Sequence, residues 1–470
     1  MTRPVRPAPA GAGRRPTRSG STPGTHPRPD PARDVAFEVL RAVSERAAYA
    51  NLVLPTLLRR RQLAGREAGL ATELAYGTLR AAGTYDQVLA RCVDRSLAAL
   101  DPGLLDLLRL GTHQLLALRI PAHAAVSATV DQARAQLGEG PARLVNAVLR
   151  RVSQADVEEW MDRLAPVGRT DRLDRLALVH AHPRWVVEAF AEALGGNLDE
   201  VELALAADNR APVVTLAARP GTSARDELLA AGARPGRWSP YAAYSPGGNP
   251  AGLVPVADGR ARVQDEGSQL VALALAGAPV EGAERRWLDL AAGPGGKASL
   301  LGALAAEQGI SMVAADRAEH RARLVRRADP SLYAVTADAM RPPWLPGMFD
   351  RVLADVPCTG LGALRRRPES RWRRRPEDVL RLAPLQRGLL TAALDAVRPG
   401  GLVAYVTCSP HPGETRAVVA DVLGDRGDAI RVDAREYLPG VPELGEGPEV
   451  QLWPHRHGTD AMFLALLRRR

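Results

Sequence analysis

Two cysteines and one lysine stand out in this chain because each is rare and each stands beside an apolar run. Only three cysteines occur in 470 residues, and Lys297 is the only lysine. Cys358 lies in "LADVPCTGLG" and Cys408 in "VAYVTCSP", both in loop-like positions next to prolines. A buried cysteine usually acts as a small hydrophobe, which suits Cys92 in "YDQVLARCV". The two loop cysteines are better explained as reactive thiols.

Both loop cysteines follow predicted strands, and about one helix of sequence separates them. A right-handed crossover of that length places two parallel strands side by side, so the thiols should meet at one edge of the sheet. This arrangement suits methylation of a pyrimidine at C5. A thiolate adds to C6, C5 becomes nucleophilic and takes a methyl group, and the thiol is then eliminated. Asp355 could hold the N3/N4 edge of a flipped cytosine, with Lys297 close by.

A glycine-rich turn predicts the cofactor site. "LDLAAGPGGKASL" lacks the pattern of a phosphate-binding loop, because Ala291 and Ala298 stand where that pattern requires Gly and Ser or Thr. Acids end the next two predicted strands, and such acids can accept hydrogen bonds from ribose. A nucleoside without a pyrophosphate fits best, which predicts S-adenosylmethionine. The predicted cofactor contacts are Ala291, Ala292, Gly293, Pro294, Gly295, Gly296, Lys297, Asp316, Asp338 and Asp355.

The elements that must position these residues change in character along the chain. Residues 1–29 are rich in Pro, Arg and Gly and predict a disordered basic arm. Residues 30–168 carry helical periodicity, beginning with Asp30 as N-cap and Pro31 as first helical residue. Residues 169–262 mix helix and strand and predict a small α+β connector. Residues 263–470 alternate strand, glycine turn and helix, which predicts a Rossmann-like α/β domain with a doubly wound parallel sheet.

Composition limits the classes of partner and compartment. The formal charge of +9 and the pI near 10.0 favour a polyanionic partner, nucleic acid first. Three cysteines argue against a disulfide framework and for a reducing compartment. The sequence shows no membrane-length apolar run and no signal peptide, so we expect a soluble, cytoplasmic protein. His455 and His457 have no cysteine nearby, and no metal is expected.

An arginine-rich stretch follows the Cys358 motif. "LRRRPESRWRRRPED" combines positive charge with one tryptophan, which predicts contacts to RNA phosphates and stacking of a base on the indole ring. The alternative is a solvated charged loop. The predicted RNA contacts are Arg365, Arg366, Arg367, Arg371, Trp372, Arg373, Arg374 and Arg375.

At these motifs the sequence resembles the RNA 5-methylcytosine methyltransferases of the RsmB/Nop2/Sun type. "DVPCTGLG", "TCSP" and "AAGPGGK" are similar to that family's Pro-Cys, Thr-Cys and glycine-loop motifs, and "HGTDAMFLALLRR" to its final strand hairpin. The helical region, with "LVNAVLRR", resembles the RNA-binding fold of the antitermination factor NusB. This pairing of domains is that of the RsmB (Sun) subgroup, which implies a class I S-adenosylmethionine-dependent enzyme acting on 16S rRNA.

The resemblance also implies roles for the two thiols. It assigns Cys408 as the nucleophile and Cys358 to product release, whereas DNA cytosine methyltransferases use the Pro-Cys cysteine instead. Ala291, Gly293, Val356 and Thr359 depart from the family motifs without removing a reacting group. The implied partner is 16S rRNA or an assembling small ribosomal subunit, bound by a monomer. A transfer-RNA substrate and a non-catalytic RNA-binding assembly or antitermination factor remain as alternatives.

Overall fold

The computed structural model describes residues 30–470. The predicted basic arm, residues 1–29, lies outside the described residues. Within the described part of the chain, no helix combines the length and the apolar character needed to cross a membrane.

The N-terminal domain is all-helical, as predicted. Its first helix begins where the sequence indicates: the Asp30 carboxylate accepts a hydrogen bond from the backbone N–H of Ala32, and Pro31 is the first helical residue. One apolar core joins the helices and includes the buried Cys92. The helices are α1 Pro31–Arg46, α2 Ala50–Arg60, α3 Gly65–Cys92, α4 Pro102–Leu116, α5 Ala122–Leu137, α6 Glu139–Val152 and α7 Val157–Leu164.

The connector consists of two units with separate cores. Helices α8 Arg172–Val179, α9 Arg184–Ala193 and α10 Leu198–Asp208 share a core with Leu361, Leu364 and Trp453 of the C-terminal domain. The second unit is an antiparallel sheet in the order β2-β3-β1-β4 with its own small core. It contains β1 Thr215–Ala218, α11 Ala224–Ala230, β2 Arg234–Pro235, β3 Ala242–Tyr244, α12 Val254–Ala257 and β4 Ala261–Val263.

The C-terminal domain is the predicted α/β fold around one large sheet, with apolar cores on both faces. Its strands are β5 Arg286–Asp289, β6 Ser311–Asp316, β7 Tyr333–Thr336, β8 Phe349–Asp355, β9 Val397–Thr407, β10 Ala429–Val432, β11 Val450–Gln451 and β12 Phe463–Arg469. Its helices are α13 Glu266–Gly277, α14 Gly296–Glu307, α15 Glu319–Ala328, α16 Ser370–Arg373, α17 Pro376–Ala396, α18 Arg416–Asp425 and α19 Pro454–His457.

The strand order fixes the place of the site. The order is β10-β12-β9-β8-β5-β6-β7, with β5 to β9 parallel and β12 antiparallel to β9. From β5 the chain moves outward through β6 and β7, and it then returns to the other side of β5 with β8. The direction of winding therefore reverses between β5 and β8. Doubly wound sheets bind ligands at such a reversal, outside the carboxyl ends of the strands.

Residues 365–375, which we call the junction segment, join all three parts of the molecule. Arg365 donates to Asp265 and Asp460, and Arg371 donates to Ala181 O and Asn209 Oδ1 at 2.9 and 2.8 Å. Arg371 is fully buried, and burial lowers the pKa of its guanidinium to about 9. The prediction that Arg365 and Arg371 contact RNA is therefore wrong, because buried acceptors of the protein occupy both side chains.

Trp372 and Arg373 bind the helical domain instead of RNA. The indole N–H of Trp372 donates to Leu79 O at 2.9 Å, and its ring packs against Gly83, where a Cβ atom would lie 2.2 Å from the ring. Arg373 donates to the carbonyl oxygens of Val43, Ala47 and Ala48 at the end of α1. A cation at a helix C-terminus is favourable, because unpaired carbonyls concentrate negative charge there. These contacts also contradict the predicted RNA roles of Trp372 and Arg373.

Replacing Arg371 by methionine should destabilise the junction. The acceptors on Ala181 and Asn209 would stay buried and lose their donor, which costs on the order of 3 kcal/mol in the free energy of unfolding. Urea unfolding followed by tryptophan fluorescence should show an earlier first transition. Arg381→Met, at an exposed arginine of α17 paired with Asp378, should leave that transition in place. Equal midpoints for the two variants would contradict the assigned role of Arg371.

Candidate active site at the reversal of the sheet

A lysine–aspartate ion pair bridges the two strands at the reversal. Lys297 is the second residue of α14, which follows β5, and Asp355 ends β8. The Lys297 Nζ to Asp355 Oδ2 distance is 2.8 Å. Burial alone would lower the pKa of Lys297, but the adjacent Asp355 carboxylate raises it above its usual value. The lysine is therefore charged and fixes the orientation of Asp355.

The two thiols lie side by side, as the sequence predicts. Strands β8 and β9 are parallel neighbours, with Asp355 in register with Val406. The Cys358 and Cys408 Sγ atoms are 3.3 Å apart, and both side chains are half-buried. The hydrogen bond between them lowers the pKa of Cys408 and, together with burial, raises that of Cys358 well above its usual value. Cys408 is thus the more acidic of the two thiols, and Cys358 is the one that keeps its proton and donates within the pair.

A buried glutamate, which sequence reasoning did not select, holds the loop of Cys358. Glu414 accepts hydrogen bonds from Thr359 N at 2.8 Å, from the Thr359 hydroxyl and from Gln386 Nε2 at 3.1 Å. Gln386 also donates to Pro357 O at 2.9 Å. In the sequence, Glu414 is visible only as an acid six residues after Cys408, in "HPGETR". Its hydrogen-bond partners are more than 25 residues away, so a local pattern does not reveal its role.

The glycine loop is tied to the next strand by Asp316. Its carboxylate accepts from Gly293 N at 3.0 Å and from Ala318 N at 2.7 Å. Gly293 and Gly295 have φ of 55° and 90°, a region that favours glycine. Ala291, Ala292, Pro294 and Gly296 complete the loop, and the backbone N–H of Ala291 donates to Asp289 at 3.2 Å. The predicted cofactor loop and Asp316 thus form one unit.

Acidic groups outnumber the single lysine around this loop, and that charge balance fits a cationic cofactor. Asp338 follows β7 and accepts from Met340 N at 3.0 Å. Asp289, which sequence reasoning missed although it ends β5, is buried. Burial and the neighbouring Asp355 raise the pKa of Asp289 to about 8. Lys297 is paired with Asp355, and Arg321 lies 3.7 Å from Asp316. The carboxyl groups still outnumber these two cations, an environment suited to a sulfonium group.

Six members of the predicted RNA set are at least partly exposed, and four of these make no hydrogen bond to the helical domain. Arg366 is paired with Asp460, and Arg374 lies 3.9 Å from Asp378. Arg367 and Arg375 are exposed. Exposed positive charge thus remains on the junction segment, although on fewer arginines than predicted.

The two histidines near the C-terminus have structural partners. His455 Nε2 lies 3.0 Å from Glu200 Oε1, and His457 Nδ1 accepts from Trp453 N at 2.9 Å. Among residues 30–470, no group of three or more His, Cys, Asp or Glu side chains has the geometry of a metal site.

Comparison with known proteins finds relatives along nearly the whole chain. The family model described as 16S rRNA methyltransferase RsmB/F matches residues 274–468, and that of the NusB family matches residues 30–154. A candidate methyltransferase from Mycobacterium tuberculosis is 55% identical over 94% of this chain and 97% of its own. Ribosomal RNA small subunit methyltransferase B from Pseudomonas putida is 34% identical over 93% and 98%. The solved structure of PH0851 has the same fold, with a TM-score of 0.77 at 22% identity over 96% of this chain and 99% of that one.

Removing the Cys358 thiol should make Cys408 less acidic. Cys358→Ala deletes the donor that stabilises the ionised form of Cys408, so the pKa of Cys408 should rise. Less thiolate is then present at any given pH, and iodoacetamide labelling of Cys408 should need a correspondingly higher pH. Cys358→Ser keeps a donor and should shift the profile less. Identical labelling profiles for Cys358→Ala and the wild type would exclude this coupling.

Proposed function

The chain belongs to the RsmB/F family of S-adenosylmethionine-dependent rRNA methyltransferases, and we propose that it methylates C5 of a cytosine in 16S rRNA. The observation that carries this proposal is the pair of thiols 3.3 Å apart beside Asp355, at the reversal of the sheet. A cytosine needs covalent activation before C5 can accept a methyl group, and this arrangement offers a thiolate together with a second thiol for the return step.

Cys408 starts the reaction in this proposal. Its thiolate adds to C6 of the flipped cytosine, and the electron density moves to C5. Asp355 holds the N3/N4 edge of the ring, and Lys297 fixes Asp355 and offsets the negative charge that develops. S-adenosylmethionine, held by the glycine loop with Asp316 and Asp338, supplies an electrophilic methyl group when bound.

Cys358 acts at the end of the reaction. In the elimination step a water molecule takes the proton from C5, the electron pair of that C–H bond re-forms the C5–C6 double bond, and the bond between Sγ of Cys408 and C6 breaks. The departing sulfur becomes a thiolate again, and Cys358 stabilises it by donating the same hydrogen bond that lowers the pKa of Cys408 in the free protein. Glu414 contributes indirectly, because it fixes Thr359 and so keeps Cys358 within reach.

The two cysteine variants should fail at different steps. Cys408→Ala should abolish methyl transfer and form no adduct, because no thiolate adds to C6. Cys358→Ala should accumulate an adduct between the protein and RNA, because elimination loses its donor. Denaturing gel electrophoresis with labelled RNA reads both outcomes. Cys92→Ala, at the third cysteine in the core of the helical domain, should behave as the wild type. An adduct in Cys408→Ala instead would reverse the assignment.

Bisulfite sequencing should identify the substrate. RNA from cells that lack this gene should lose one non-converted cytosine in 16S rRNA, and expression of the wild-type chain should restore it. Loss of a cytosine signal in a transfer RNA would keep the chemistry and change the substrate. No loss at any site would contradict the catalytic proposal and favour a non-catalytic RNA-binding factor.

A further inference from the structure

An exposed tyrosine lies beside two arginines of the junction segment. The guanidinium carbons of Arg367 and Arg373 are 5.4 and 5.7 Å from the centroid of the Tyr49 ring. The sequence predicted an aromatic ring among these arginines but selected Trp372, which packs into the helical domain. The structure supplies a different ring, Tyr49, from the turn between α1 and α2. We call Tyr49 and Arg367 the junction shelf.

Local structure does not account for a tyrosine at this position. Tyr49 is the N-cap of α2, where Ser, Thr, Asp or Asn would satisfy an unpaired N–H, and its side chain caps nothing. The side chain is 38% exposed, so it adds little to the core. The acid Glu369 holds the turn by accepting from Ala50 N at 3.2 Å. The backbone that carries the ring is therefore anchored by another residue, and the ring itself is available to a ligand.

The two arginines beside the ring differ in whether their guanidinium groups are already hydrogen-bonded within the protein. Arg373 donates to three carbonyl oxygens of the helical domain, and this fixes it in place. Arg367 is exposed, and its guanidinium makes no hydrogen bond or ion pair with any residue in 30–470. An unpaired cation over an exposed aromatic ring offers a flat stacking surface together with a positive charge.

The junction shelf lies close to the reacting thiols. Gly362 N donates to Cys408 O at 2.9 Å, and four residues lie between Gly362 and Arg367, so at most about 18 Å of chain joins them. Arg366, between them, is partly exposed and paired with Asp460. Burial alone would lower the pKa of Arg366, but Asp460, Asp265 and the Cys408 thiolate raise it. Arg365 and Arg366 are thus neutralised by carboxylates, and the positive charge left on this stretch is that of Arg367.

We propose that the junction shelf binds an unpaired nucleotide close to the target cytosine, with its base stacked on the Tyr49–Arg367 pair and a phosphate beside Arg367. Bases in single-stranded RNA stack on aromatic rings and on guanidinium planes, while arginines track the backbone. The inference rests on the proposed function, because it takes RNA to be the ligand. It assigns the helical domain a direct part in holding the substrate next to the thiols.

Binding and turnover, measured separately, test this proposal. Tyr49→Ala should weaken the binding of an unpaired 16S rRNA fragment, read by fluorescence anisotropy, by about tenfold, in the range found for one stacked base. It should raise KM for the rRNA transcript by a similar factor and leave kcat within about twofold, because the reacting groups are intact. Tyr49→Trp keeps an aromatic face and should restore both values, whereas a purely structural role would not be rescued by the larger ring.

The charge of Arg367 has its own test and a matched control. Arg367→Ala should reduce the slope of log Kd against log salt by about 0.7, as expected for one lost phosphate contact to a single strand. Arg163 also lies over an aromatic ring, 5.3 Å from the centroid of Trp160, but that ring is buried. Arg163→Ala should leave the slope unchanged.

Two negative outcomes are distinguishable. Unchanged Kd and KM in Tyr49→Ala, with an unchanged salt slope in Arg367→Ala, would overturn the junction shelf and leave the methyltransferase proposal standing. Normal RNA binding by a wild-type protein that transfers no methyl group would overturn the proposed function. The binding data for the variants would still show whether the junction shelf binds a nucleotide.

Discussion

The pairing of β8 with β9 is the constraint on which the site depends. Parallel neighbouring strands have their carboxyl ends at the same edge of the sheet. The register of Asp355 with Val406 sets the distance between the start of the Cys358 loop and the start of the Cys408 loop. Val356 N donates to Val406 O at 3.0 Å, and Gly362 N donates to Cys408 O at 2.9 Å. Backbone hydrogen bonds thus hold the two loops together on both sides of the cysteines. The contact between the thiols, and the unequal acidity that follows from it, depends on this ladder.

Charge balance at the same edge explains why the only lysine of the chain lies there. The carboxyl groups of three aspartates and the more acidic thiol lie at this edge. The ammonium group of Lys297 is a compact cation that reaches Asp355 from the start of α14, with a contact of 2.8 Å. Asp289 lies deeper, and its raised pKa keeps it largely protonated at neutral pH, which reduces the negative charge of the edge. The position of Lys297 is therefore accounted for by electrostatics.

Local patterns in the sequence predicted the α/β domain, the glycine loop and the meeting of Cys358 with Cys408, because each depends on strand and turn signals close in the chain. The buried role of Arg371 was not predictable in this way. Its acceptors, on Ala181 and Asn209, are more than 160 residues distant in the sequence. An arginine in a polar stretch is therefore predicted to be solvated or bound to RNA. Glu414 and the core that α8 to α10 share with Trp453 were missed for the same reason.

The junction segment contacts the helical domain, which lies far before it in the sequence. Ribosomes make α1 to α7 first, and Arg365 follows the end of α7 by about 200 residues (365 − 164), roughly 10–40 s of synthesis at bacterial rates. During that interval the face around Gly83 and the carbonyl oxygens at the end of α1 have no Trp372 or Arg373 to cover them. This face of the helical domain is therefore open to water or to a chaperone until translation supplies its partner.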